Sequence, residues 1–467
     1  MSRARGRRAA LPPPERVARE LRARINVMAL LAVALPALTV GALALVQPAD
    51  VDESSHPPSE TTLNLAILTC PSSITDSREI SVASATGRAG RVEVAESGGG
   101  GATTLDIQAD RPATAVPGTR PVTVRGTDAT APGLLASRQD EGPAAVSCRA
   151  PESDQWFTGL GAAARHSSVL ELVNPDPGPA VADITVIGPR GLVEAPSLRG
   201  ITVPGGRSLR LHLAREIPLR GELAAHVVVS RGRLGVYAAD SFDELGRGES
   251  GVDWLAAQQP SEDLLLLGLP EGTGTRALVL ANEGDTEARA VVRVVTKDSA
   301  FRPEGLQDVR VPPGSVTRVP LTGILGAAVK DGAVGVHVEA TGPLTASLRS
   351  FVEGDLSHAV PVVTVAEATQ VILPEGRSTV LLRADSVGSA EVLARLSGGG
   401  KEVKQVDLAP GRTVPVRLPE GAVLVQVTPR ATAVHGAVVT VGGGAAAIGL
   451  HELVRTGLVP DVRPALP

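Results

Sequence analysis

The chain has 467 residues, a formal net charge of −5 at pH 7, and only four Phe, two Trp and one Tyr. So few aromatics leave little for stacking on bases or sugars, which argues against nucleic acid as a partner. Hydrophobic residues are 43% and charged residues 20%, an ordinary globular mix, while 51 Gly and 37 Pro point to many turns.

Residues 1–25 hold eight Arg and two Glu, so the rest of the chain carries a formal charge of −11. A mildly acidic body does not attract nucleic acid through its field. Residues 26–47 read NVMALLAVALPALTVGALALVQ, 22 residues without a charge. That length suits a membrane helix, and Pro36 and Gly41 are tolerated there. The arginines before it and Asp50-Val51-Asp52-Glu53 after it follow the positive-inside rule. They predict a single pass through the plasma membrane, with a cytoplasmic basic tail at 1–25 and an extracytoplasmic body. The competing reading is a signal cleaved near Ala42-Leu43-Ala44 and a secreted body. Residues 48–61, with Pro57-Pro58, read as a linker. Cys70 and Cys148 are the two cysteines, and an exported even pair predicts a disulfide.

Beyond the linker a pattern repeats. Val203-Pro204-Gly205-Gly206, Val311-Pro312-Pro313-Gly314 and Leu408-Ala409-Pro410-Gly411 each precede an alternating run, and Val116-Pro117-Gly118 is a weaker copy. Pro presets one corner of a type II turn and Gly supplies the positive φ of the next. About thirty residues earlier stand Val169–Asp176, Ala277–Gly284 and Thr379–Asp385, each followed by a second apolar run. Short strands, Gly/Pro turns and hardly any 3.6-residue period predict an all-β chain of tandem Ig-like β-sandwich domains behind the single N-terminal transmembrane helix. The expected units are an N-terminal β domain at 62–152 and repeats at 153–261, 262–367 and 368–467. Joined by short links, they predict an extended rod or arc.

Around the second cysteine, Val146-Ser147-Cys148-Arg149-Ala150-Pro151 is followed by Asp154-Gln155-Trp156-Phe157-Thr158-Gly159. Further on come Leu172-Val173-Asn174-Pro175-Asp176, Asp240-Ser241-Phe242-Asp243-Glu244-Leu245-Gly246 and Gly251-Val252-Asp253-Trp254-Leu255, with Leu68-Thr69-Cys70-Pro71 upstream. Over roughly residues 60–467, and most closely over 146–255, the chain resembles an uncharacterised family of exported actinobacterial proteins, known only as a numbered domain of unknown function. The resemblance implies an N-terminal anchor or signal, an extracytoplasmic body and no assigned activity. It also implies a genetic association with a large membrane glycosyltransferase of the cell envelope. It brings no catalytic residues with it.

Motifs for chemistry are absent or out of context. Gly159–Ala164 and Gly272–Ala277 match GxGxxA without a strand–helix–strand setting. Gly248-Glu249-Ser250-Gly251 lacks the last Gly of GxSxG. The eight histidines show no metal-site spacing; His226 and His337 hold equivalent repeat positions, with Gln426 in the third copy. Asp240, Asp243 and Glu244 read as a solvated loop rather than calcium ligands. No catalytic, cofactor-binding or metal-binding residue is assigned, and no enzyme activity is expected.

The distinctive positions are Asp154, Trp156, Phe157, Tyr237, Asp253 and Trp254. They are either anchors of a partner-binding patch, since Trp is enriched in hot spots, or parts of a core or domain junction. The expected function is a non-enzymatic, membrane-tethered scaffold that binds a protein of the cell envelope. The alternative is an accessory to an envelope polysaccharide that holds or acts on a cell-wall glycan.

Overall fold

A computed structural model of the chain describes residues 27–45, 58–99, 101–140, 142–243 and 250–459. The expected basic tail at 1–25, most of the linker at 48–61 and residues 460–467 lie outside the described residues. The helix Val27–Leu45 belongs to one compact unit and Glu60–Val459 forms the other. The helix is 19 residues long, contains Pro36, and exposes Leu31, Val33, Leu35, Leu38 and Val40. Among the described residues, whose side chains in this helix run from 31 to 42, no helix is long and apolar enough to cross a membrane.

The unit Glu60–Val459 is all-β, in several antiparallel sheets consistent with β-sandwiches. It contains four main apolar cores. The first lies between two four-stranded sheets, one in the order Leu65–Cys70, Val122–Thr127, Gly90–Glu96, Thr103–Ile107, the other Ala113–Ala115, Ile80–Ser84, Leu134–Gln139, Ala145–Ser147. Alternation builds it: Val122 and Val124 point inward while Thr123 and Arg125 are only half-buried. Cys70 and Cys148 join as the expected disulfide inside this core.

The second core is wrapped by one continuous nine-stranded sheet rather than two separate ones. Asp154–Ala163 makes the continuity. It pairs with Arg220–Arg231, but the register shifts between Thr158 and Leu160 and again between Leu160 and Ala162. Gly159, at φ +100°, and Gly161 lie in this stretch, and bulges there bend the strand until its end meets His166–Val173. A Cβ on Gly161 would collide with His166.

The third core is built around Ala333–Val352, a 20-residue strand. Its first half pairs with Ser261–Leu267 and Ala288–Thr296, its second with Gly274–Asn282 and Asp355–Ala359. The fourth core lies between two sheets: Thr369–Ile372, Ala422–Arg430, Gly388–Leu396, Lys401–Leu408 on one side, and Thr364–Val365, Val434–Val441, Arg377–Arg383, Thr413–Arg417 on the other.

The bodies share details. Asn174 Nδ2 donates to the Gly178 and Val203 carbonyls, and Asn282 Nδ2 to those of Thr286 and Val311. Each Asn Oδ1 accepts the N–H two residues on, from Asp176 and Gly284. His226 bonds Asp154 at 3.0 Å and His337 bonds Asp263 at 2.7 Å, while Gln370 bonds Gln426 at 2.8 Å at the equivalent rung.

The four cores do not simply follow one another in a row. Gln139 Nε2 donates to the Leu373 carbonyl at 2.8 Å, and Ala83, Leu135, Ile372 and Leu424 form a separate apolar cluster, so the fourth body packs on the first. The strand Thr456–Val459 also pairs with Ser59–Thr62. Within Glu60–Val459 these apolar side chains point away from their own cores and bury one another, which a straight rod does not allow.

Candidate functional site

Most of the candidate residues of the sequence lie at junctions between bodies, and Phe157 lies in the core of the second. Trp156 and Phe157 are buried on Asp154–Ala163. Trp156 stacks on His226 with ring centroids 4.2 Å apart and packs against Val279, Ala281 and Val316 of the third body. Asp154, exposed, accepts a hydrogen bond from His226, whose other ring nitrogen lies 3.1 Å from Glu283. Tyr237 ties the second body to the first: its hydroxyl donates to the Thr69 carbonyl and accepts Arg149 N–H at 3.1 Å. Burial pushes that phenol up to about 12. Trp254 is buried with Val173 and Tyr237. Of the six, Asp154 alone is exposed; Trp156, Tyr237 and Trp254 pack between bodies, and Phe157 lies in the core of the second body.

The structure brings together a second group, in which Asp240 and Asp253 join residues that the sequence did not single out. Asp240 is fully buried on Gly235–Asp243. Its Oδ1 lies 3.0 Å from His166 Nε2 and accepts the Ser168 hydroxyl at 2.6 Å; its Oδ2 lies 3.0 Å from His358 Nε2. Burial alone would raise this carboxyl. Attraction to His166 and the hydrogen bonds of both histidines outweigh it and hold the group well below the usual carboxylate range. Burial lowers His358, against the pull of Asp240, so its ring is neutral at pH 7. Nε2–H therefore donates to Asp240, and Nδ1 accepts from the Ser347 hydroxyl at 3.2 Å. Asp253, opposite Asp240 on the next strand, accepts His358 N–H at 3.0 Å and is pushed well above its usual range by burial. Beside them Arg349 forms a bidentate pair with Glu222 at 2.7 and 3.0 Å and contacts the His166 ring.

Ser347, His358 and Asp240 thus repeat the hydrogen-bond order of a Ser-His-Asp triad. A nucleophile must reach its substrate, and Ser347 is 0% exposed. The group instead links two bodies, His166, Glu222, Asp240 and Asp253 from the second and Ser347, Arg349 and His358 from the third. Thr158 and Thr345 hydroxyls, 2.5 Å apart, and Gln258 Oε1, accepting Ala346 N–H at 2.7 Å, extend the junction. Phe242 packs on Phe351 at 5.1 Å with the Arg349 guanidinium over its ring.

Among the described residues no group of His, Cys, Asp and Glu is placed to hold a metal ion. Asp240, weighed above with Asp243 and Glu244, is a buried junction residue and not part of a solvated loop; Glu244 lies outside the described residues. Gly159–Ala164 runs along a strand and into its turn, and does not lead from a strand into a helix. The signal that could have exposed the network is Arg349 within Leu344–Val352, a run buried on both faces. An arginine there needs a carboxylate from elsewhere, although nothing local says which one.

A family model described as a family of unknown function, DUF5719, matches residues 113–419. No curated protein matches the sequence. Among solved structures, a tetra-tandem repeat in the extending region of a large adhesion protein is similar at 11% identity, over 85% of this chain and 96% of that one, with a TM-score of 0.09.

Proposed function

The chain belongs to the DUF5719 family, and from that premise we propose that it is a non-enzymatic, membrane-tethered extracytoplasmic scaffold that presents its joined Ig-like bodies to an envelope protein. The observation that carries this reading is the buried polar junction of His166, Asp240, His358, Arg349 and Glu222. Side chains with the chemistry of a catalytic site are closed off from solvent and spent on fixing one body against the next. Removing one partner of such a buried pair costs roughly 3–5 kcal/mol, enough to hold an orientation. The Cys70–Cys148 disulfide supports an oxidising compartment outside the cytoplasm. The apolar side chains exposed on Val27–Leu45 support the anchor at 26–47. A glycan platform would draw on aromatic faces, and Trp156, Phe157 and Trp254 are buried.

Cross-linking of the full chain in its own membranes, followed by pull-down, tests the scaffold reading. A reproducible protein partner is expected; recovery of a lone monomer overturns it. A cysteine placed at the positive-φ turn glycine Gly443 tests the orientation. Labelling from outside intact cells is expected, and protection from an impermeant reagent overturns export.

A further inference from the structure

The bodies of Glu60–Val459 meet round a cleft of about 930 Å³, within the range of small-molecule sites, which favour domain junctions. Leu65, Val363 and Val454, three of the large aliphatic side chains left exposed, line it. Arg149 lines it too, half-buried. Its backbone bonds Thr69 and Tyr237, but its guanidinium makes one long contact, Nη1 to the Ala257 carbonyl at 3.5 Å. Among the described residues it has no carboxylate partner. The lining acids Asp263 and Asp385 are paired with His337 and His435, and Glu452 accepts Ala366 N–H. Glu152 lines the cleft exposed to water, where it is screened. Next to Arg149, His451 is pulled down to about 4 by burial and then by that arginine's charge. Its imidazole is neutral at pH 7, with one weak contact, to the Gly449 carbonyl at 3.5 Å.

A partly desolvated guanidinium without a counter-ion, set among exposed aliphatic side chains, fits one kind of ligand. We propose that the cleft binds an anionic amphiphile, an aliphatic body against Leu65, Val363 and Val454 with a single carboxylate or phosphate headgroup on Arg149. Both headgroups match the guanidinium fork. This goes beyond the scaffold reading and stands or falls separately from it, because a partner can be absent while the ligand binds.

The test is equilibrium dialysis of the full chain, held in a long-chain non-ionic detergent, against octanoate, octyl phosphate, octyl glucoside and octyltrimethylammonium. Arg149→Gln and Leu65→Asp are run in the same detergent, so partition into micelles cancels. Saturable binding of one or both anions is expected, with a loss of about tenfold or more in Arg149→Gln, as for a charge-assisted hydrogen bond. Leu65→Asp should weaken the same anions, and the neutral and cationic octyl compounds should bind far less. Octanoate alone points to a fatty-acid source, and octyl phosphate alone to a lipid phosphate. No saturable anion binding, or equal binding of octyltrimethylammonium by the wild-type chain, overturns the proposal without need of a variant. Unchanged affinity in a folded Arg149→Gln also overturns it.

Discussion

Asp240 accepts hydrogen bonds from Ser168 and from two histidines while fully buried, and its charge is what the junction is arranged around. Asp240→Asn removes that charge and keeps the shape. Chemical denaturation should show a loss of about 3–5 kcal/mol. Ser347→Ala removes one neutral bond and should cost about 1 kcal/mol. A fluorophosphonate probe should leave wild-type Ser347 unlabelled, and labelling would make it an accessible nucleophile. His358 and His451 give a pH dependence of defined sign. Both are lowered by burial, so the folded state holds fewer protons than the unfolded one below about pH 6.5. Their contribution is complete above that pH and is lost as pH falls toward the folded values. Asp253 is raised, so its contribution has the opposite sign, falling as pH rises from about 4 to its folded value. Between pH 7 and pH 4 the His451 contribution should appear as a difference between chains: His451→Gln should lose less of its thermal midpoint over that range than the wild-type chain. Little of this was legible in the sequence: His166 and Arg349 are 183 positions apart, and no local pattern couples them. The sequence singled out Trp156 and Trp254 but left open whether they anchor a partner or belong to a core or junction; both are buried.

Strands and turns were far more legible, because alternation and Gly/Pro chemistry are local. The expected alternating runs at 169–173 and 290–295 lie within the strands His166–Val173 and Ala288–Thr296. At 311–314 and 408–411 the turn is Pro313-Gly314 and Pro410-Gly411, with φ +57° and +77° at the glycines. At 203–206 the turn does not use the Pro-Gly pair: Gly206 carries the positive φ, at +63°, and the turn closes from Arg207 N–H to the Pro204 carbonyl. The corner is therefore Gly205-Gly206 and not Pro204-Gly205, and a Cβ on Gly205 would strike the Pro177 carbonyl. Gly314→Ala and Gly411→Ala have open space around them, so they isolate the backbone term. Each should lower stability by about 1 kcal/mol in denaturant titration. What alternation could not reveal was continuity. A two-sheet sandwich and a bent single sheet bury the same alternate residues, and the difference rests on the bulged stretch at Gly159–Gly161.

At the scale of the whole unit Glu60–Val459, stability is shared across junctions that join sequence-distant bodies. Leu135 and Ile372 do not belong to the cores of their own bodies; they bury each other's surroundings, with Ala83 and Leu424. A charge placed there leaves both parent cores intact and attacks only the contact between the first and fourth bodies. Ile372→Asp should therefore convert one cooperative thermal transition into two, with the separated bodies melting at different temperatures. The disulfide supplies the control. Cys70 and Cys148 are 78 positions apart and lie within the first core, so replacing both by Ser should cost about 4 kcal/mol by the loop-entropy relation. That loss should destabilise the first body whether or not it touches the fourth. In Ile372→Asp, removing the disulfide should then move only one of the two transitions. If both move together, the first body remains coupled to the fourth through the Tyr237 and Asp240 junctions and the cluster of Leu265, Leu267, Val295, Leu381 and Ala437 between the third body and the fourth, and the contact at Ile372 is not what binds the first body to the fourth.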